Sequence, residues 1–473
     1  VTILNEFYQM LISSSGLSKV KDSVKEKVFF GNEPSAELIA ILTVYFVQGI
    51  LGLARLAVSF FLKDELRLSP AQVSALMGIV ALPWIIKPLF GFLSDGLPIF
   101  GYRRRPYLIL SGLLGAISWV WLATIVHTQT AATAAIALGS LSVAVSDVIV
   151  DSLVVERARG ESQASAGSLQ SLCWGASAVG GLVTAYFSGM LLQHFTTRTI
   201  FWITASFPLI VSCVAWLIAE SPVSKESIKN QPEDDVIDVK HQFILLRKAL
   251  TQKAIWLPTV FIFLWQGTPS ADSAFFFFTT NELHFEPEFL GRVRLVTSLA
   301  SLVGVWIFQR YLKTVPFRVI FGWTIVLSTI LGMTMLLLVT HANRALGIDD
   351  HWFSLGDSLV LTVMGQIAYM PLLVLAARLC PPGIEATFFA LLMSVNNLAG
   401  LLSYEFGAVL MHAMGITESN FDNLPLLVFI TNLSTLLPLP FLNWLPAAES
   451  QSAGVAPAKP VEESFIPEEV GAG

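Results

Sequence analysis

The chain has 473 residues, 54% of them hydrophobic and 13% charged, with a net charge of −6; its mean hydropathy is +0.68. A soluble domain carries roughly 25% charged residues, so this composition excludes a set of ordinary soluble domains and places the chain among polytopic membrane proteins. No basic run interleaved with aromatics marks a nucleic-acid surface, and Cys173, Cys213 and Cys380 have the spacing of neither a zinc site nor a disulfide framework, so they read as small packing residues.

In chain order, residues 1–37 mix Lys, Glu and Ser without a cleavable apolar core, and no arginine precedes Arg55. They are expected to form a cytoplasmic N-terminal segment. A bacterial plasma-membrane protein is favoured over a mature organelle protein whose leader has been removed. Six apolar runs long enough to cross a bilayer follow, at about 38–62, 70–93, 107–126, 131–155, 165–192 and 199–219. The polar stretch 220–253, with Glu233-Asp234-Asp235, reads as a linker. Six more runs follow at about 254–280, 289–311, 317–340, 356–379, 385–412 and 424–445. Residues 447–473 are rich in Pro, Ala, Gly and Glu and read as a disordered cytoplasmic tail. Backbone groups in lipid must be satisfied within the segment, so helices are expected, not strands.

The expected fold is therefore an all-α polytopic membrane protein of twelve transmembrane helices. Bundles at 38–219 and 254–446 give a 6+6 division of the major facilitator kind, with another twelve-helix transporter as the alternative. Lysines and arginines set the orientation. With a cytoplasmic N-terminus, twenty fall on the cytoplasmic side, among them Lys19, Arg103, Arg104, Arg105, Arg157 and six in the linker. Five fall outside: Lys63, Arg67, Arg198, Arg292 and Arg344. Both termini are thus predicted to be cytoplasmic.

Charges inside the spans carry the functional signal. Asp147 and Asp151 lie four residues apart, on one helix face, in Ser146-Asp147-Val148-Ile149-Val150-Asp151. An ionisable group in a span costs roughly 2.5–3.5 kcal/mol on insertion scales, so two together point to a polar pathway and to transport. Lys87, Asp147 and Asp151 fall toward the cytoplasmic half of their spans; Arg55, Asp272, Arg294 and Glu405 fall toward the outer half. Salt bridging of Lys87 to Asp147 or Asp151 is the structural alternative to direct binding. Gln48, Gln170, Gln266, Gln366, Asn396 and Asn397 extend the path with uncharged polar groups, and Trp84, Trp174, Trp265 and Phe275–Phe278 are able to stack on a flat ring. For each of these, helix–helix bonding or lipid-facing placement is the competing reading. Small residues at Gly175–Ala178 and Gly180-Gly181 read as close helix packing, and Pro83, Pro88, Pro269 and Pro371 as kinks.

The loop after the second run holds Gly91-Phe92-Leu93-Ser94-Asp95-Gly96 and then Gly101-Tyr102-Arg103-Arg104-Arg105-Pro106. It resembles the major facilitator loop motif, with a longer spacer. Asp95 and the three arginines are expected to act as a gate, the carboxylate interacting with a neighbouring helix N-terminus. With Ser146–Arg159 and Pro269–Arg294, this loop forms three blocks in order. Together they resemble the folate–biopterin transporter family, closest to its cyanobacterial and plastid-envelope members. The resemblance implies a carrier of folates or related pterins.

The chemistry is compatible with such a substrate. A carboxylate of Asp147, Asp151 or Asp272 is able to accept both N–H groups of a pterin's 2-amino-4-oxo edge. Arg55, Lys87 and Arg294 are candidates for the two carboxylates of folate. No phosphate-cradling Gly-x-x-x-x-Gly-Lys-Ser/Thr motif occurs, so direct ATP drive is not expected. Proton symport is expected, with Asp147, Asp151 or Asp272 as the proton carrier. No cofactor, no metal and no covalent chemistry is expected. A membrane enzyme would need a metal or nucleophile constellation, and a pigment protein would need histidines within spans; the seven histidines are scattered at span ends and in loops. Another organic anion as substrate is the runner-up.

Overall fold

The structure is a computed structural model, described for residues 33–158, 163–222, 252–312, 315–379 and 385–446. Most of the expected N-terminal segment and linker, the tail from 447, Cys380, and the side chains of Asp95 and Gln170 lie outside the described residues.

The helices are α1 (Ala36–Glu65), α2 (Pro70–Ser94), α3 (Arg105–Thr124), α4 (Gln129–Val154), α5 (Leu172–His194) and α6 (Thr197–Leu217). They continue with α7 (Lys253–Gln266), α8 (Pro287–Leu312), α9 (Phe317–Val339), α10 (Asp350–Leu375), α11 (Glu385–Ala413) and α12 (Leu424–Trp444). Among the described residues, ten of these, all but α7 and α11, are long and apolar enough to cross a membrane. At about 1.5 Å per residue, twenty residues cover the roughly 30 Å hydrocarbon core. Local chemistry sets the starts. Ser69 accepts from the Gln72 backbone N–H while the Gln72 side chain bonds back to Ser69, with Pro70 at the first helical position.

Several helices are not continuous, and the breaks have identifiable causes. Helix α2 is interrupted at Ala81 and again at Ile86, where Pro83 and Pro88 cannot donate to the ladder. The second break leaves Lys87 at the start of a new helical piece. The expected seventh span, 254–280, stops at Gln266, passes through Gly267–Ala271, and resumes as the short helix Asp272–Phe277. The freed backbone is stitched to α11. Ser270 N–H donates to Ser403 O at 3.1 Å, and Ser403 Oγ donates to Thr268 O at 2.5 Å. Gly407 is required there, because a Cβ would lie 2.1 Å from Ser270 O.

The C-terminal ends of α1 and of the Asp272 segment are the same turn built twice. Phe61–Glu65 and Phe278–Glu282 each form one widened helical turn, closed by Leu66 N–H on Phe61 O and Leu283 N–H on Phe278 O. Each then passes through a left-handed residue, Arg67 (φ 53°) or His284 (φ 55°), and enters the next helix through a proline, Pro70 or Pro287. The two sequences align without gaps, sharing Phe60/Phe277, Phe61/Phe278, Glu65/Glu282, Leu66/Leu283 and Pro70/Pro287. The same register pairs Arg55 with Asp272.

Packing follows small residues. Gly49 of α1 meets α5 so closely that a Cβ would lie 2.1 Å from Ser177 O, and Gly112 of α3 meets Pro208 O and Ser212 of α6. Of the expected small-residue stretch in α5, Gly180 lies against Phe46 O, whereas Gly175 faces open space. The first six and last six helices meet toward the Lys63 side. There Phe60 and Phe276 pack edge to face at 5.3 Å, Lys63 Nζ donates to Asn281 Oδ1 at 2.9 Å, and Ser74 Oγ donates to Tyr404 O at 2.7 Å. The backbones of α5 and α8 touch at Gly189 and Gly291, where a Cβ on Gly189 would lie 2.3 Å from Pro287 O. Gly189→Leu should therefore force α5 and α8 apart at an overpacking cost of about 1–3 kcal/mol. A lowered midpoint of thermal unfolding in detergent is expected; an unchanged midpoint would mean that this contact is not made.

Candidate functional site

Asp147 and Asp151 project from one face of α4, as their spacing requires. They meet Lys87 from the α2 break and Tyr45 from α1. Lys87 Nζ bonds to Asp147 Oδ2 and lies 3.5 Å from Asp151 Oδ2. Tyr45 Oη donates to Asp151 Oδ1 at 2.5 Å. Lys87 Nζ also sits 5.3 Å from the centre of the Trp84 ring, a cation–π contact. The expected Lys87–aspartate pairing is thus made, to both carboxylates at once. One cation faces two carboxylates, so the cluster holds one formal negative charge more than it balances. The side chain of Asp151 is 47% exposed against 14% for Asp147, so Asp151 is the carboxylate open to a solute or to water.

A second group gathers where α1 and the seventh segment resume after their breaks. Arg55, exposed on α1, is close enough to repel Arg294 of α8. Arg294 Nη1 reaches toward Gly52 O at 3.5 Å. Tyr404 of α11 is within electrostatic reach of both Asp272 and Arg55. Asp272 is itself exposed although it lies among these helices, which places it on an open interior surface. Two arginines within electrostatic reach of one another suit a carboxylate.

The other expected residues lie on the same interior. Glu405 packs on Gly78 of α2, its Oε1 2.5 Å from where a Cβ would be. Among the described residues, buried Asn396 Oδ1 has no partner, and neither has buried Gln48 Nε2. Asn397 Nδ2 donates to Trp84 O at 3.1 Å. Gln170 lies on the helix that leads into α5, and its side chain is outside the described residues.

The arginine loop is built around a residue that the sequence reading did not single out. Glu220 accepts from the backbone N–H groups of Arg103 at 2.5 Å, Arg104 at 3.0 Å and Arg105 at 3.0 Å. It thereby supplies the anion at the N-terminus of α3. Arg104 donates to Glu156 Oε1 at 2.7 Å and to Ser94 Oγ at 2.9 Å; Arg105 donates to Ile218 O at 2.6 Å. These partners all belong to the first six helices or the residues that follow them. Tyr45 and Tyr404 were also missed, because a tyrosine in a span reads as packing until a carboxylate or guanidinium is seen beside it. The repeated Phe-Phe…Glu-Leu…Pro segment was a signal present in the sequence that would have paired Arg55 with Asp272.

A family profile described as the BT1 family matches residues 48–459. A "Folate-biopterin transporter" of Synechocystis sp. is 64% identical over 432 residues, covering 91% of this chain and 86% of that protein. A "Probable folate-biopterin transporter 2" of Arabidopsis thaliana is 33% identical over 429 residues, covering 88% and 84%. Among solved structures, the nucleoside transporter NupG superposes with a TM-score of 0.63 at 15% identity, covering 86% of this chain and 98% of that one. That likeness concerns the fold alone: an all-α, many-span membrane architecture of the major facilitator kind.

Removing Lys87 leaves two facing carboxylates without their cation. Lys87→Met should lower the thermal midpoint, by less than the about 3–5 kcal/mol of a fully buried pair because the group is partly accessible. The double variant Lys87→Met/Asp147→Asn should recover part of the loss. A double variant no more stable than the single one would show that the pair is not coupled.

Proposed function

This chain belongs to the BT1 family, and on that premise we propose that it is a secondary active carrier of folates or related pterins, working by alternating access between two six-helix bundles. The bundles span 38–219 and 254–446, joined by the 220–253 linker, with twelve membrane spans in all. What carries this reading is a near full-length kinship with proteins named as folate–biopterin transporters, together with charged groups of both signs inside the spans. It is a transporter and not an enzyme. A carrier for another organic anion is the alternative.

Orientation follows the lysine and arginine bias, which puts the Arg103–Arg105 loop, and with it both termini, on the cytoplasmic side. A cyanobacterial plasma membrane fits this best. The Lys63 side then faces outward, and contacts there between the bundles correspond to a state closed to the outside. The Asp95 and Arg103–Arg105 motif acts as the opposite gate, closing when the outer contacts part.

Roles divide by depth. Arg55 and Arg294 bind the substrate's carboxylates, and Asp272 takes a donor. Lys87 already occupies an oxygen of Asp147 and lies near one of Asp151, which favours proton coupling over pterin pairing for that cluster. A proton on Asp151 would remove its excess charge, and Tyr45 holds the carboxyl in place. Glu405, Gln170 and Asn396 line the path. The lipid bilayer and protons are the remaining partners, with no cofactor or metal.

Cells producing the chain should take up labelled folate saturably, and an Asp147→Asn variant at matched membrane expression should lose at least about tenfold of the rate, since a role in the working path is worth 1.4 kcal/mol or more. Undiminished uptake by the variant would reduce Asp147 to structure, and a folded parent without uptake would favour another organic anion. In proteoliposomes an inward proton gradient should accelerate uptake; indifference to the gradient excludes proton symport. With Cys173, Cys213 and Cys380 replaced, a cysteine introduced as His351→Cys should react with an impermeant thiol reagent in intact cells. One introduced as Arg103→Cys should react only after permeabilisation, and the reverse pattern would invert the topology.

A further inference from the structure

We propose that the flat heterocyclic end of the substrate is held in a cavity inside the C-terminal bundle by the side-chain amides of Gln366 and Gln266, apart from the charged groups that bind its other end. This rests on the carrier reading above and adds a binding site to it.

The cavity lies between α7, α9, α10 and α12 and has a volume of about 580 Å³. That is within the roughly 300–1,000 Å³ of small-molecule sites. Its polar walls are Gln266, Ser328, Thr362 and Gln366, and its aromatic walls are Trp265 and Tyr369; no charged side chain lines it. Such a lining suits a neutral, flat, hydrogen-bonding ring and does not suit a carboxylate. Gln366 is near the middle of its helix, Asp350–Leu379, and so near the middle of the membrane.

Gln366 supplies the specific observation. Its Oε1 is buried and has no hydrogen-bond partner among the described residues. Buried carbonyls are rarely left unpaired, because nothing replaces the water they lose. Its stem is held from behind by α8, where Gly304 packs so closely that a Cβ would lie 2.7 Å from Gln366 Cβ. The amide is thus fixed in the cavity wall with its acceptor unpaired. A primary amide presents one acceptor and two donors. A 2-amino-4-oxopyrimidine edge presents both as well, so two amides match it without any charge. Trp265 is braced edge-on by Phe321 at 5.9 Å, which leaves it rigid as a stacking surface.

A shallow open depression adjoins the cavity, since Thr362 lines both. Its hydroxyls include Thr297, Ser298 and Ser301, on the α8 turns that follow Arg294. Thr297, Ser298 and Ser301 thus follow Arg294 on α8 and line the depression that shares Thr362 with the Gln366 cavity. An elongated molecule with carboxylates at one end and a heterocycle at the other fits that sequence of groups.

The test is binding to the purified carrier by equilibrium dialysis, with folate, 6-methylpterin and p-aminobenzoylglutamate as probes. The last of these lacks the heterocycle. Gln366→Leu should weaken folate and 6-methylpterin by about tenfold or more and leave p-aminobenzoylglutamate unchanged. Gln366→Glu keeps an acceptor oxygen and should retain more pterin affinity than Gln366→Leu. Thr362→Val repeats the test at a second wall should Gln366→Leu fail to fold. Parent-like pterin binding by Gln366→Leu and Thr362→Val, or equal loss of all three probes, overturns the site while the carrier reading stands. A parent that binds p-aminobenzoylglutamate but no pterin also overturns it. A folded parent that binds none of the three overturns the carrier reading and this site with it.

Discussion

A bilayer core offers no hydrogen-bond partner, and each polar group inside it has to find one within the protein. Most of this chain meets that demand by being helical. Where it stops being helical, the demand reappears and determines which helices touch. The gap after Gln266 frees backbone groups that recruit α11 through Ser403, and it needs the bare backbone of Gly407 to let Ser270 approach. The prolines of α2 free another stretch and leave Lys87 at its end. Breaks in spans are costly, so their positions mark where the protein needs a charge or a bare carbonyl facing its interior.

The same constraint sorts the charges. Lys87 is held by carboxylates and by the face of Trp84, so its ammonium is not stranded. Arg55, which is exposed, lies within electrostatic reach of Arg294, so the two leave positive charge to be balanced by water or an anion. One cluster is closed upon itself with a surplus of negative charge, and the other is open with a surplus of positive charge. A solute anion would be drawn to the second, and a proton to the first. These are different tasks at different depths, which is what coupling between a solute and an ion requires.

The duplicated turn at Arg67 and His284 links this chemistry to movement. The first helix and the Asp272 segment end with the same widened turn, left-handed residue and proline, and the two turns meet through Lys63–Asn281 and Phe60–Phe276. In that register Arg55 and Asp272 are equivalent positions carrying opposite charge. Any separation of the Lys63–Asn281 and Phe60–Phe276 contacts therefore also alters the distance between the groups proposed to hold the substrate.

Apolar run lengths were enough to mark an all-α, many-span membrane protein, because a span must be apolar along its length whatever it packs against, but they did not reveal that the run 254–280 breaks after Gln266. The i, i+4 spacing of Asp147 and Asp151 was enough to put them on one face, and their insertion cost to single them out as candidates. The three ordered motif blocks were enough to point to the family. Tertiary structure alone decided that Lys87 bridges both aspartates, that Tyr45 completes the cluster, and that Glu220, not a residue of the loop itself, caps α3. It alone brought Arg55 within electrostatic reach of Arg294 and left the Gln366 carbonyl buried and unpaired in the wall of a cavity. Periodicity along one helix states which side chains share a face, but partners lie on other helices at sequence separations of 60 to 240 residues. Which faces meet is settled by where glycines and serines let backbones approach, and no local pattern encodes that.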